Sequence, residues 1–193
     1  IQQGLAYIRG NAQIRDVLLS GGDPFMLSNE YLDWILTELR YIPHVEVIRI
    51  GTRTPVVLPY RITDELVEML RQFHPLWMNI HFNHPREITG ITREACDVLF
   101  QRGVTLRNQS VLIRGVNDDE GVLTELFELA TALGMPQYYL FQGRPTAGNE
   151  PYEVPLVEGW QIFQEALRRG SGLARRARFV MSHETGKVEV VGI

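Results

Sequence analysis

Short apolar runs along the chain alternate with longer segments in which apolar residues recur every three or four positions. The short runs predict strands, and the longer segments predict helices. The predicted strands lie at 17–19, 45–50, 77–82, 106–113, 138–141 and 178–181. The predicted helices lie near 29–40, 64–73, 93–102, 120–133 and 156–168, and the first residues of the chain also have a helical pattern.

Strands that alternate with helices are typical of a parallel α/β sheet, in which right-handed crossovers place the helices on the outside. The order therefore predicts a parallel α/β barrel or part of one, because six strands are fewer than the eight of a complete barrel. No internal repeat, low-complexity tract or linker divides the sequence. We expect residues 1–193 to form a single domain.

Composition limits the classes of function. The chain has 193 residues, of which 45% are hydrophobic and 22% charged, and this suits one globular domain with a core. A net charge of -4 gives no reason to expect nucleic acid, and no apolar run approaches the roughly 18 residues needed to cross a membrane. The only cysteine, Cys96, excludes an intrachain disulfide and is expected to be a buried helical thiol. These features predict a cytoplasmic protein.

The segment DVLLSGGDP at 16–24 is the first candidate for chemistry. Its apolar residues predict a strand buried on both faces, and Gly21 and Gly22 allow a ligand to approach the backbone closely. Asp23 is predicted to receive a cationic donor such as an amino group, while free amides of the turn receive a carboxylate or hydroxyl. The alternative is an ordinary turn between strand and helix, with Ser28 as the helix N-cap.

The later predicted strands supply further polar candidates. His81 and Asn83 share a strand face, and His84 follows in the turn. Zinc would need another ligand from a different strand, so we expect no metal site and treat these histidines as hydrogen-bonding groups. Gln109 points into the predicted barrel, which is costly unless a polar network or a ligand such as a ribose satisfies it. Arg53, after the second strand, is either a carboxylate clamp or a structural arginine.

Five segments carry a resemblance to a known family. They are DVLLSGGDPFMLS at 16–28, VIRIGTRTPVVLPYRIT at 47–63, NIHFNHPREIT at 79–89, NQSVLIRGVND at 108–118 and YYLFQ at 138–142. In these segments the chain resembles the lysine 2,3-aminomutases, which are radical S-adenosylmethionine enzymes. The resemblance implies an α/β fold, a partial parallel (β/α) barrel of the radical S-adenosylmethionine type whose first strand is missing from this chain.

The resemblance also implies a reaction, in which cleavage of S-adenosylmethionine gives a 5′-deoxyadenosyl radical that abstracts hydrogen from an amino-acid-like substrate. It implies that S-adenosylmethionine is held by Ser20, Gly21, Gly22, Asp23, His81 and Gln109. The family binds a [4Fe-4S] cluster through a three-cysteine loop, and an external electron donor reduces it. One cysteine cannot supply three thiolates, so we expect the cluster only with residues upstream of this chain, which reads as a fragment because it begins at Ile1.

Two other functions stay open from the residues alone. One is a non-catalytic ligand-binding module, a degenerate barrel that keeps the pocket and lacks the redox centre. The other is a metal-dependent barrel hydrolase. A three-cysteine loop in the parent sequence would separate the leading function from the first alternative, and zinc analysis would settle the second. The sequence also leaves the oligomeric state open.

Two departures from the family limit what the chain inherits. The family binds pyridoxal phosphate through a lysine that follows a glycine-rich loop, whereas the comparable segment here, RRGSGLARRAR at 168–178, has no lysine. The only lysine, Lys187, falls in GKVEV, which resembles the terminal strand of the family, so we expect no Schiff base with pyridoxal phosphate. Arg144 stands where the family has an aspartate that receives a cationic side chain, and it predicts an anionic small-molecule substrate. The alternative is an ordinary loop arginine.

Overall fold

The computed structural model describes residues 1–144, 146–184 and 186–193. These residues divide into two units. Unit 1 contains Ile1–Ile80 and Ile91–Leu106, and unit 2 contains His81–Gly90 and Arg107–Ile193. The expectation of a single domain over 1–193 stays a prediction. In the described ranges, every helix is too short or too polar to cross a membrane.

Unit 1 is built around three parallel strands that are neighbours in the sheet in the order in which they occur in the chain. They are β1 (Asp16–Leu19), β2 (Val47–Thr52) and β3 (Leu76–Ile80). The helices are α1 (Gln2–Arg9), α2 (Asn29–Arg40), α3 (Thr54–Val57), α4 (Asp64–Arg71) and α5 (Gly90–Gln101). Short 3-10 turns occur at Pro24–Met26 and Pro59–Arg61.

The helix α2 shows how the sequence pattern determines a helix in this unit. The Ser28 hydroxyl accepts a hydrogen bond from the Tyr31 amide at 3.3 Å, which caps the first turn, and Arg40 in the last turn suits the negative end of the helix dipole. Between these ends, the apolar residues at helical spacing are buried: Leu32, Ile35, Leu36 and Leu39. The predicted bounds of 29–40 are confirmed, and Ser28 caps the helix as the alternative interpretation of segment 16–24 expected.

The predicted burial of β1 on both faces is wrong. Asp16 is exposed, Leu18 is 38% exposed, and Val17 and Leu19 are half-buried. The reason is the position of β1 at the start of the strand order, where β2 is its one neighbour among the strands that the structure describes. An apolar run of three residues is therefore compatible with an edge strand as well as with an inner one.

Unit 2 has three parallel strands followed by an antiparallel one. They are β4 (Thr105–Val111, mostly in this unit), β5 (Gln137–Phe141), β6 (Arg178–His183) and β7 (Gly186–Glu189). The helices are α6 (Glu120–Ala132) and α7 (Leu156–Arg169). Short 3-10 turns lie at Pro85–Glu87, Glu150–Tyr152 and Ala174–Arg176.

A β-bulge interrupts the pairing of β4 with β5. Asn108 pairs with Gln137, but the next residue, Gln109, pairs with Tyr139, so Tyr138 is an extra residue in β5. The bulge brings two consecutive tyrosines together: the rings of Tyr138 and Tyr139 stack with centroids 3.8 Å apart, and the Tyr139 hydroxyl donates to the Tyr138 hydroxyl at 2.8 Å. With Phe141, these rings form what we call the aromatic platform of β5.

Candidate functional site

The glycine loop after β1 is exposed and open. Ser20, Gly21 and Gly22 all lie at the surface, and a Cβ built on either glycine would meet no atom within 4 Å. Gly21 has a φ of 103°, a conformation that side chains rarely adopt. Ser20, Gly22 and Asp23 border a largely apolar cavity of about 410 Å³ whose other walls come from α1, β1 and α2. A ligand can therefore approach this backbone closely.

Asp23 connects the loop after β1 to the end of β2. Its carboxylate accepts hydrogen bonds from the Thr52 hydroxyl at 2.7 and 2.9 Å, from the Arg53 amide at 2.7 Å and from the Phe25 amide at 3.1 Å. Burial alone would raise the pKa of Asp23, but the hydrogen bonds from Thr52, Arg53, Phe25 and Thr54 outweigh it, and the pKa lies below its usual value. The structure thus gives the carboxylate a structural role, and its contact with a ligand amine stays a prediction.

Arg61 is a residue of this region that the sequence analysis missed. Its guanidinium donates to the Phe25 carbonyl at 2.9 Å, to the Leu27 carbonyl at 3.0 Å and to the Asn29 side chain at 2.7 Å. One arginine therefore fixes the backbone between the glycine loop and α2. Nothing in the local pattern around residue 61 indicates this contact, because its partners lie more than 30 residues earlier.

In unit 2, the structure brings together His81 and Gln109. The Gln109 side-chain amide donates to the ring nitrogen Nε2 of His81, and both side chains are half-buried. The hydrogen bond that an inward-facing glutamine requires is therefore present. His84 has a different partner, because its Nδ1 accepts from the Arg86 amide at 3.1 Å and caps the turn at Pro85–Glu87.

A buried polar network holds the backbone next to His81. The Phe82 amide donates to the Asn108 side chain at 2.9 Å, and the Phe82 carbonyl accepts from Asn108 at 3.1 Å and from the Ser110 hydroxyl at 2.6 Å. Gln137 completes the network through Asn108 at 2.6 Å and Ser110 at 3.0 Å. Sequence reasoning missed these residues, because a polar side chain on the helix-facing side of a strand gives the same period-two signal as an exposed one.

Asn117 extends this network. Its side chain accepts from the Ile113 amide at 2.7 Å and donates to the carbonyls of Asn83 and Val111, each at 2.8 Å. The side chain of Asn83 in turn accepts from the Val111 amide at 3.0 Å. The segment that follows His81 is therefore anchored to β4 by side chains as well as by the sheet, and this fixes where the His81 ring can lie.

Arg144 follows β5 in unit 2 and is exposed. Together with Gln142, Glu153 and Ser182 it lines a cavity of about 510 Å³ near the N-terminus of α7. The Gln142 amide group donates to the Val154 carbonyl at 2.6 Å, while its oxygen Oε1 is buried and has no hydrogen-bond partner among the described residues. The predicted substrate residue therefore lies at a cavity with cationic, acidic and amide groups.

Several other charged candidates are satisfied within the protein. Arg114 forms a two-bond pair with Glu158 at 2.5 and 2.7 Å and also reaches Asp118 at 3.1 Å. The hydrogen bonds that Arg114 donates to Glu158 raise the pKa of Arg114, and the same contact lowers the pKa of Glu158. In the arginine-rich segment at 168–178, ion pairs or backbone contacts engage Arg168, Arg169, Arg175 and Arg178. No group of three potential metal ligands occurs among the described residues.

Comparison with known proteins gives several named relatives. No protein-family model matches the chain. L-lysine 2,3-aminomutase of Clostridium subterminale is 49% identical over 89% of this chain and 41% of its own length. The enzyme of that name from Methanococcus maripaludis is 47% identical over 90% of this chain and 40% of its own length. Nearly all of this chain is thus similar to part of the proteins named lysine 2,3-aminomutase.

The aminomutase relatives are not all named for lysine. A glutamate 2,3-aminomutase of Clostridioides difficile is 44% identical over 90% of this chain and 41% of its own length. The chain spans about two fifths of the length of these relatives. The similarity therefore covers nearly all of this chain and less than half of each of these three aminomutases.

Solved structures agree with the predicted fold class. A radical SAM methyltransferase from Sphaerobacter thermophilus has a TM-score of 0.62 at 19% identity and covers 88% of this chain and 51% of that chain. A domain of pyruvate-formate lyase-activating enzyme from Bacteroides vulgatus has a TM-score of 0.59 at 17% identity, over 84% of this chain and 97% of that chain. These likenesses confirm the α/β partial parallel barrel of the radical S-adenosylmethionine type.

The resemblance to the aminomutases implies two bound groups, S-adenosylmethionine and a [4Fe-4S] cluster, and the residues of this chain suit only the first. The open glycine loop fits S-adenosylmethionine, because no protein atom fills the space beside Gly21 and Gly22. The [4Fe-4S] cluster does not fit, because its family ligand set is three thiolates and the sequence has one cysteine. Cys96 is buried in α5, and burial together with the Asp97 carboxylate raises the pKa of its thiol to about 12.

Proposed function

We propose that this chain is the S-adenosylmethionine- and substrate-binding core of a radical S-adenosylmethionine enzyme that resembles lysine 2,3-aminomutase and acts on an anionic, amino-acid-like substrate. The observation that carries the proposal is the 44–49% identity to named aminomutases over about 90% of the chain. In the proposal, the cluster ligands lie in sequence outside this chain, and an external donor supplies the electron. When bound and cleaved, S-adenosylmethionine provides the radical that removes a hydrogen atom from the substrate.

The glycine loop of unit 1 is proposed to receive S-adenosylmethionine through backbone contacts. Gly21 sets the direction of the turn, and Gly22 leaves a free surface where a side chain would otherwise stand. Asp23 holds the loop against the end of β2 through its hydrogen bonds to Thr52 and Arg53, so the loop is fixed before ligand arrives. A backbone held in its binding geometry spends less free energy on ordering when the ligand binds.

His81 and Gln109, which both belong to unit 2, are proposed to contact S-adenosylmethionine. Their mutual hydrogen bond orients both side chains. This assignment rests on the resemblance to the aminomutases. The observed hydrogen bond between His81 and Gln109 supports it, because it holds the two side chains together.

Arg144 is proposed to select the substrate. An exposed guanidinium at the rim of a cavity favours carboxylate or phosphate and repels the side-chain ammonium of lysine. The relatives of similar identity include enzymes named for lysine and for glutamate, so homology alone does not choose between these charges. The charge of Arg144 favours an acidic substrate, such as glutamate, over lysine.

Calorimetry with S-adenosylmethionine tests the cofactor site. We expect weak, saturable binding by the wild-type chain and its loss in Gly22→Ala, because the added methyl group occupies the free surface of the loop. Gly172→Ala, at another open glycine, is the matched control and should bind like the wild type. Equal binding by Gly22→Ala and wild type, or no binding by the wild type at millimolar ligand, would remove the loop from this role.

Turnover by the cluster-containing parent protein tests the substrate class. We expect glutamate to stimulate formation of 5′-deoxyadenosine more than lysine or a neutral amino acid does. Arg144→Asp should reverse the order of glutamate and lysine, since it reverses the charge at the rim of the cavity. Stimulation by lysine in the wild type that the substitution leaves unchanged would contradict the proposal.

A further inference from the structure

The cavity next to Arg144 is also bordered by an anion. Glu153 lines it from the segment between the turn at Glu150–Tyr152 and α7, and this side chain is half-buried. Arg144 and Glu153 are the charged members of the described lining, and both belong to unit 2. The volume of about 510 Å³ lies within the range of roughly 300–1,000 Å³ that is typical of small-molecule sites. The cavity therefore has room for a small molecule that carries both charges.

Neither of these charges is neutralised within the part of the chain that the structure describes. The Arg144 guanidinium and the Glu153 carboxylate form no ion pair and no hydrogen bond there, and they do not pair with each other. Glu158, in the first turn of α7, is different, because Arg114 donates two hydrogen bonds to it at 2.5 and 2.7 Å. Of these two glutamates, Glu153 is the one left for a ligand.

A half-buried carboxylate in this position favours a positive group. The effective dielectric constant beside a protein is lower than that of water, so the attraction of Glu153 for a cation is stronger than that of a fully exposed carboxylate. Ser182 lines the same cavity from β6, and its hydroxyl oxygen can accept a hydrogen bond. An ammonium group has three N–H donors, which suit these oxygens. Arg144 repels an ammonium group, so the two charged residues suit different groups of one ligand.

We propose that Glu153 is a specificity-determining residue that receives the ammonium group of an amino-acid substrate. The inference rests on the proposed function, in which Arg144 receives a carboxylate of the same molecule. A cation and an anion at one cavity select a zwitterion over a dicarboxylate, which has no group for Glu153, and over a diamine, which has none for Arg144. The hydrogen bond from ammonium to carboxylate is charge-assisted, so it adds affinity as well as selectivity.

Glutamate and glutarate form a matched pair of probes for this residue, because both carry two carboxylates and glutarate lacks the ammonium group. Calorimetry at constant ionic strength measures their binding to the 193-residue chain and to its variants Glu153→Gln and Arg144→Gln. Glutamine keeps the size of glutamate and removes its charge. Glu125→Gln, at an exposed position of α6 in the same unit, is the control. The measurement requires neither S-adenosylmethionine nor turnover.

We expect the wild type to bind glutamate about tenfold or more tightly than glutarate, as a charged hydrogen bond predicts. Glu153→Gln should weaken glutamate binding by about that factor and leave glutarate binding unchanged or tighter, because the substitution removes a negative charge. Retained glutarate binding also shows that the variant is folded. Glu125→Gln should bind both probes like the wild type.

Three results would overturn the inference: equal binding of the two probes by the wild type, unchanged glutamate binding in Glu153→Gln, or an equal loss of both probes in that variant, which would give Glu153 a structural role. Arg144→Gln tests the proposed function separately, because it should weaken both probes. If only Arg144→Gln has its expected effect, the proposed function stands and the ammonium site is wrong. If only Glu153→Gln has its expected effect, the ammonium site stands and the role of Arg144 is wrong. No binding of either probe by the wild type at millimolar concentration overturns both.

Discussion

Gly21 and Gly22 are adjacent and both exposed, yet they differ in what the protein needs from them. The backbone at Gly21 has a φ of 103°, which penalises any side chain. Gly22 has no such conformation, and no neighbouring atom would touch its Cβ. Among the described residues no packing contact requires the second glycine, and this supports the proposed contact with S-adenosylmethionine.

The first prediction at the residue scale separates the two glycines by stability. We expect Gly21→Ala to lower the free energy of unfolding by about 1–2 kcal/mol, because alanine is strained in this conformation. Gly22→Ala should change it by less than about 0.5 kcal/mol, like most surface substitutions. Urea unfolding measures both. A Gly22→Ala variant as unstable as Gly21→Ala would show that the fold itself requires the second glycine.

The second prediction at this scale concerns acid stability. The pKa of Asp23 is lower in the folded chain than in the unfolded one, so its contribution to stability is complete above the unfolded value of about 3.9. That contribution is lost as the pH falls through the folded pKa. Asp23→Asn does not titrate, so the stability of the wild type should fall more steeply than that of the variant between pH 5 and pH 2. Urea midpoints across that range test this, and parallel curves would contradict it.

At the scale of elements, the order and most positions of helices and strands follow from the sequence because each has a regular apolar period. The period could not show the bulge at Tyr138, because an extra residue in one strand is defined only by its partner. It also predicted β3 to continue to residue 82, whereas β3 ends at Ile80. Past that point, the backbone of Phe82 is bonded to the side chains of Asn108 and Ser110.

The same network gives a prediction about an element boundary. Asn108→Ala should destabilise unit 2 strongly, because it leaves the Phe82 amide and the Gln137 side-chain oxygen without these partners. Each buried polar group left unsatisfied costs about 1–3 kcal/mol. Thermal or urea unfolding gives the size, with Asn149→Ala in an exposed turn as the control. A loss of stability no larger than that of the control would show that the network is not important for the fold.

The packing of α7 gives another prediction for an element. A Cβ on Gly159 would lie 2.7 Å from Leu112 Cδ2 and 3.2 Å from Phe179 Cζ, so the helix approaches its neighbours closely only because this position has no side chain. We expect Gly159→Ala to destabilise the chain by about 1–3 kcal/mol, despite the higher helix propensity of alanine. Urea unfolding measures the change. An unchanged or higher free energy of unfolding would contradict the prediction and show that α7 can move away from its neighbours without loss of stability.

At the scale of the whole molecule, the candidate site was predictable where one short segment contains it, as in the glycine loop. The pairing of His81 with Gln109 was predictable only in part, since the sequence shows that an inward glutamine requires a partner and does not say which one. Arg61 and Asn117 could not be predicted, because their roles depend on residues that the fold brings near. The position of Lys187 over β5 depends likewise on tertiary structure.

The chain as a whole is also expected to carry no covalent pyridoxal phosphate. The sequence has one lysine, which lies in β7 over Tyr139 and Phe141 and outside any glycine-rich loop. After incubation with pyridoxal phosphate, borohydride reduction and desalting, we expect no absorbance from a reduced adduct and no modified peptide. A pyridoxyl group mapped to residue 187 would contradict this and would assign the lysine a covalent role.

Because Cys96 is buried, the rate at which its thiol is labelled can report how often unit 1 opens. Thiol reagents attack the thiolate, and the only thiol of this chain is enclosed in α5 with a pKa of about 12. Labelling must then wait until unit 1 opens, so its rate at low denaturant measures how often that event occurs. Mass spectrometry of a single added label would follow it without any engineered probe. If ligand binding at the glycine loop stabilises unit 1 against opening, the rate of Cys96 labelling should fall when ligand is added.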